Sequence, residues 1–148
     1  MPGSMALVVC LLSVVQVPHD VRNRMLSRRA TLCAFLVLLA IACVDSLIGA
    51  SFVNLGIAGV ASVLLGVAYL LLHRRSSASL GLGDVLLVIP LGFALAYHRL
   101  ADVLTWQLIS TTSAACHALV VRIRFRQSSI AFGPHLLVAA VVVLIAGI

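Results

Sequence analysis

The chain has 148 residues, of which 63% are hydrophobic and 9% charged. A soluble domain carries roughly 25% charged residues, so there is too little polar surface here to wrap a water-soluble globule. The net charge of +6 does not indicate a nucleic-acid partner, because the arginines cluster at the ends of apolar runs rather than forming one basic face.

Six apolar runs follow one another. They cover about Met5–Val17, Thr31–Ile48, Phe52–Leu72, Val85–Tyr97, Val103–Val121 and Ile130–Ile148. A membrane-spanning helix needs about 20 residues, so six of them need about 120 and leave little for loops. The expected fold is all-α: one polytopic membrane domain over residues 1–148, with about six transmembrane helices. The first and fourth runs are short unless they take in their polar flanks, which would carry Asp20 or Asp84 into a helix end. The first run lacks a preceding positive side chain and a small-residue cleavage site, so it reads as a retained helix rather than a signal peptide.

All ten basic residues are Arg and all four acidic residues are Asp. The loop after the first run holds Arg22, Arg24, Arg28 and Arg29; the third loop holds Arg74 and Arg75; the fifth holds Arg122, Arg124 and Arg126. Only Arg99, offset by Asp102, lies in an even-numbered loop. Basic loops stay cytoplasmic, which predicts cytoplasmic loops one, three and five and both termini outside. The simplest role for these arginines is to hold the loops at an anionic lipid leaflet.

An Asp at the centre of a spanning helix costs about 2.5–3.5 kcal/mol on insertion scales, so membrane-depth carboxylates are rare and often functional. Asp20 ends the first run and Asp84 opens the fourth, which predicts one membrane face and a similar depth for both. Asp45 and Asp102 belong to the outer side, as interfacial residues or helix-end partners. Two carboxylates sharing one water form the aspartic-protease device: one takes the water's proton while the other polarises the scissile carbonyl. Taken singly, Asp20 would be an ion-pair partner for Arg22 or Arg24, and Asp84 a helix cap. Gly81 and Gly83 precede Asp84, and glycine permits close backbone approach and positive φ, so they are the candidate substrate-binding positions. His19 is a candidate for tuning Asp20. The other histidines, His73, His98, His117 and His135, are too scattered in sequence for a metal site. Cys10, Cys33, Cys43 and Cys116 form no CxxC pair and read as small buried hydrophobes.

Three segments together resemble the type IV prepilin peptidases, a family of GxGD aspartic membrane proteases. Asp20 to Leu32 is similar to the family's first catalytic segment, an Asp followed by an Arg-containing stretch and a polar turn. Gly81-Leu82-Gly83-Asp84 matches its Gly-x-Gly-Asp, and Phe132-Gly133-Pro134-His135-Leu136 resembles the Phe-Gly-Pro-x-Leu that opens its last helix. The order and spacing hold over nearly the whole chain. Departures are Met25-Leu26-Ser27, where the family often has Ile-Pro-Asn, and Ala131 in place of the usual Pro.

The resemblance implies an aspartic endopeptidase of the inner (cytoplasmic) membrane, needing no cofactor or metal. It would remove the basic leader of type IV prepilins or pseudopilins at the cytoplasmic face, with Asp20 and Asp84 as the catalytic pair. The chain lacks the cysteine-rich insert of larger members that also methylate the pilin, so it is similar to the short, cleavage-only form. Two other classes remain open at this point: an inactive pilus-assembly subunit of the same fold, and a small proton-coupled transporter using the two aspartates.

Overall fold

A computed structural model describes residues 2–23, 27–49, 52–75, 81–125 and 132–147. Within these, the side chains of residues 2, 17–23, 124 and 125 lie outside the description. The described chain is all-α, with six helices: α1 (Pro2–Asn23), α2 (Arg28–Ile48), α3 (Phe52–Arg75), α4 (Leu82–His98), α5 (Leu100–Phe125) and α6 (Gly133–Ala146). Each apolar run became one helix; α1 to α5 took in polar flanks, whereas α6 lies within its run. Asp20 lies in the last turn of α1 and Asp84 in the first turn of α4.

The helix ends have local causes. Ser27 caps α2, its hydroxyl accepting from the Ala30 N–H at 3.4 Å. Gly49, at φ 139°, and Gly147, at φ 62°, end α2 and α6 in backbone conformations that a side chain would disfavour. Pro134 sits in the first turn of α6, where its missing N–H leaves no intrahelical bond unmade. Only Arg99, extended at φ −153°, separates α4 from α5. Asp102, expected in a loop, therefore stands in the first turn of α5.

Helix α4 is the centre of the bundle and packs against all five others. From Leu91 to Tyr97 every residue is buried. Its most extensive partner is α3, which meets it through a small-residue stripe of Ala58, Ser62 and Gly66. A Cβ on Gly66 would stand 2.9 Å from Ile89 Cγ1, so the missing side chain allows the close approach.

Cross-helix contacts orient the bundle. Ser62 meets Ile89 in the α3–α4 hairpin, and Ser113 meets His135 in the α5–α6 hairpin. Phe35 meets Phe93, and Ser46 meets Tyr97, so α2 and α4 run parallel. One end of the bundle therefore gathers the last turns of α1, α3 and α5 with the first turns of α2, α4 and α6. Arg28, Arg29, Arg74, Arg75 and Arg122 are exposed at that end. The outer faces of the bundle are apolar, with Leu7, Val14, Leu47, Val53, Val63 and Leu108 each at least 60% exposed. Helices α2 and α3 are long and apolar enough to cross a membrane.

Candidate active site

Asp84 is 7% exposed, at the arginine-bearing end of the central helix. It occupies the third position of α4, and its Oδ2 accepts from the Gly81 N–H at 3.2 Å. This is the reaching-back half of a capping box. Gly81 contributes no cap of its own, so the acid folds toward it. Gly81 itself is extended, at φ −73° and ψ 146°, and Gly83 is inside the helix. Neither adopts a positive φ, which among the described glycines is confined to Gly49 and Gly147. Gly81 is exposed, and a Cβ on it would make only ordinary contacts, the nearest being Asp84 Oδ2 at 3.4 Å. The bundle's own packing does not require glycine at position 81.

Asp20 stands at the same end of the bundle, by the alternation of the helices, in the last turn of α1. Its side chain, with those of His19 and Arg22, lies outside the described residues, as does all of Arg24. The turn that follows α1 is braced from within. Gln16 is fully buried, accepts from the Ser27 N–H at 3.2 Å, and donates to Thr31 Oγ1 at 2.7 Å.

Two further polar residues pair in the interior, and sequence reasoning missed both. The Tyr69 hydroxyl of α3 donates to Gln107 Oε1 of α5 at 2.7 Å. With Gly66 of α3 against Ile89 of α4, Tyr69 lies level with the first turns of α4, which carry Asp84. Gln107 Nε2 is buried and, among the described residues, has no hydrogen-bond partner. Its neighbour Trp106 is fully buried and donates from Nε1 to the Leu136 carbonyl at 2.8 Å. The signal in the sequence was faint: a Tyr and a Gln inside apolar runs, 38 positions apart.

The other two aspartates lie at the opposite end. Tyr97, which donates to Asp45 Oδ2 at 3.2 Å, is 13 residues along α4 from Asp84, about 20 Å. Asp102 is 2% exposed and accepts from Arg99 Nε at 3.1 Å, while Arg99 also donates to the Gly147 carbonyl at 2.7 Å. Asp102 is thus a helix-end partner, binding the α4–α5 break to the end of α6.

A second polar group lies between α5 and α6. His117 Nδ1 and His135 Nε2 are 2.9 Å apart, and His135 Nδ1 is 3.2 Å from Ser113 Oγ. With ring centroids 5.1 Å apart, the two facing nitrogens lie nearly on the line joining the rings. That is the geometry of one shared proton, not of two lone pairs converging on an ion. Ser113 and His135 border an otherwise apolar cavity of about 280 Å³, with Ile109, Val138 and Val142. Among the described residues no three His, Cys, Asp or Glu side chains come together as metal ligands. The cysteines are free, but they are not buried as expected: Cys33 and Cys116 are exposed, Cys10 and Cys43 half-buried. These helices are apolar on all sides, so an apolar run does not tell which face a cysteine takes.

The buried carboxylate of Asp84 can activate a water, and the amide donor held by Tyr69 can bind a carbonyl. Compared with protein-family models, curated proteins and solved structures, the chain matches none.

Proposed function

We propose that the chain is a polytopic inner-membrane aspartic endopeptidase that removes the leader of type IV prepilins or pilin-like proteins at the cytoplasmic face. In this reading all six helices span, both termini are outside, and the arginine-bearing end faces the cytoplasm. The apolar outer surface supports a lipid surrounding, since soluble monomers rarely expose such contiguous patches. So do α2 and α3, whose most apolar stretches are only 22% buried inside the bundle, unlike the core helices of a soluble protein.

The observation that carries the peptidase reading is the buried carboxylate of Asp84 on the central helix, at the bundle end that also holds Asp20. A charge-bearing group in the interior is costly, so such groups are rare and often functional. In the proposed reaction Asp84, at a helix N-terminus that favours the ionised form, takes a proton from water. The water oxygen attacks the scissile carbonyl carbon, and Asp20 gives its proton to the carbonyl oxygen. The tetrahedral intermediate then collapses: the C–N bond breaks, and Asp84 passes its proton to the departing amine. One hydroxyl of the intermediate returns its proton to Asp20 as the new carboxylic acid forms. The reaction consumes one water and needs neither metal nor cofactor.

Co-expression with a prepilin, scoring the leader by gel shift, tests this reading. Wild type should shorten the prepilin, and Asp20→Asn and Asp84→Asn should each leave it full length. A full-rate Asp20→Asn enzyme overturns the two-carboxylate model. An intact prepilin beside folded wild-type protein points to the non-catalytic assembly subunit instead.

A further inference from the structure

Gln107 Nε2 is the one buried side-chain polar atom without a hydrogen-bond partner among the described residues. Leaving a buried donor unpaired costs about 1–3 kcal/mol. A glutamine rotates freely enough to find a partner, and this one is prevented from doing so. Tyr69 donates into its Oε1 at 2.7 Å, and a phenolic O–H must donate there because the amide oxygen can only accept. The oxygen end is thereby occupied, and the NH₂ end is the one left for a ligand. Whatever satisfies it must be a hydrogen-bond acceptor.

The position is specific as well. Tyr69 is 6 residues from the end of α3, and Asp84 is in the first turn of α4. Their helices pack antiparallel, with Gly66 against Ile89, so Tyr69 lies level with the first turns of α4. Its hydrogen bond ties Gln107 of α5 to that part of the interior.

We propose that Gln107 is a substrate-binding residue whose amide donates to a main-chain carbonyl of the peptide brought to Asp84, with Tyr69 as the positioning residue that fixes the amide's orientation. This rests on the peptidase reading above and extends it to residues that no motif contains. A carbonyl is a neutral acceptor of the kind an extended peptide presents at every residue. It also needs no counter-charge.

The test uses the purified full-length chain in detergent with a prepilin substrate, measuring kcat and KM separately. Asp84→Asn should be inactive. Gln107→Leu should lose about tenfold in kcat/KM, the worth of one hydrogen bond, while its unfolding midpoint stays near that of wild type, because removing the unpaired amide offsets the Tyr69 hydroxyl left without its acceptor. Tyr69→Phe should fall in the same direction by less, with KM carrying the change, since the freed amide can turn either end to the substrate. Should Gln107→Leu fail to fold, Gln107→Met is measured in its place. Wild-type kcat/KM in Gln107→Leu, beside an inactive Asp84→Asn, overturns this inference alone. Loss of activity in step with loss of stability also overturns it, in favour of a packing role. An active Asp84→Asn overturns the peptidase reading itself.

Discussion

The Ser62 hydroxyl donates to the Ile89 carbonyl at 2.9 Å, one residue before Pro90 in the middle of α4. Proline has no N–H and breaks the helical ladder where it stands. The bond from α3 fastens α4 beside that break, five residues along the helix from Asp84. Helix α3 therefore does more than cover α4: it holds the segment whose first turn carries the buried acid. Ser62→Ala is expected to lower stability by about 1 kcal/mol, read as a fall in the denaturation midpoint in detergent with helix content unchanged.

Gly66 is a second point of close approach in the same hairpin. Its absent Cβ would stand 2.9 Å from Ile89 Cγ1, on a β-branched side chain that is stiff at χ1. Gly92 would meet Leu65 Cδ1 at 2.5 Å, but that atom is the tip of a chain that can turn away. Alanine gains about 1 kcal/mol over glycine within a helix, so the two substitutions should differ in outcome. Gly92→Ala should be close to neutral. Gly66→Ala should destabilise by about 1–3 kcal/mol, and adding Ile89→Ala should recover much of the Gly66→Ala loss. A comparison of the three unfolding midpoints decides it.

Gln16 holds the α1–α2 turn by accepting from the Ser27 N–H and donating to Thr31 Oγ1. Its amide is fully buried, so Gln16→Leu leaves the Ser27 N–H without its acceptor, while the Thr31 hydroxyl keeps only its bond to the Ser27 carbonyl at 3.2 Å. The expected cost is about 2 kcal/mol. Because Asp20 lies in the last turn of α1, one turn beyond Gln16, prepilin cleavage should fall as well. Backbone hydrogen exchange should rise first in residues 17–30.

Asp84 has a structural task beside its proposed chemical one, and two substitutions separate them. Asparagine keeps an oxygen that can accept from the Gly81 N–H, whereas alanine does not. Asp84→Asn should therefore unfold within about 0.5 kcal/mol of wild type, and Asp84→Ala about 0.5–2 kcal/mol below it. Both should leave a prepilin uncleaved. Equal stability of the two variants would mean that the cap contributes nothing.

Much of the fold was legible in the sequence because an apolar run of fixed length has few alternatives. All six runs became helices, and Ser27, Gly49, Gly81, Pro134 and Gly147 each stand at a boundary, although α1 continues six residues past the end of its apolar run. Asp102 was misplaced in a loop because a link of one residue, Arg99, has no compositional signature. Alternation alone was enough to bring Asp20 and Asp84 to one end of the bundle, since each short connection reverses the chain.

Helix rotation and helix neighbours were not legible. A helix that is apolar on every side has no sequence stripe to mark its buried face, which is why the cysteines were assigned to the interior and are found outside it. The same lack of contrast hid α4 as the central helix and concealed the pairing of Tyr69 with Gln107. By itself, the sequence determined the six helices and the acid that opens α4, because these depend on length and local backbone chemistry. Only the tertiary structure decided that Asp84 turns inward and that Tyr69 of α3 meets Gln107 of α5, because burial is a property of which helices meet.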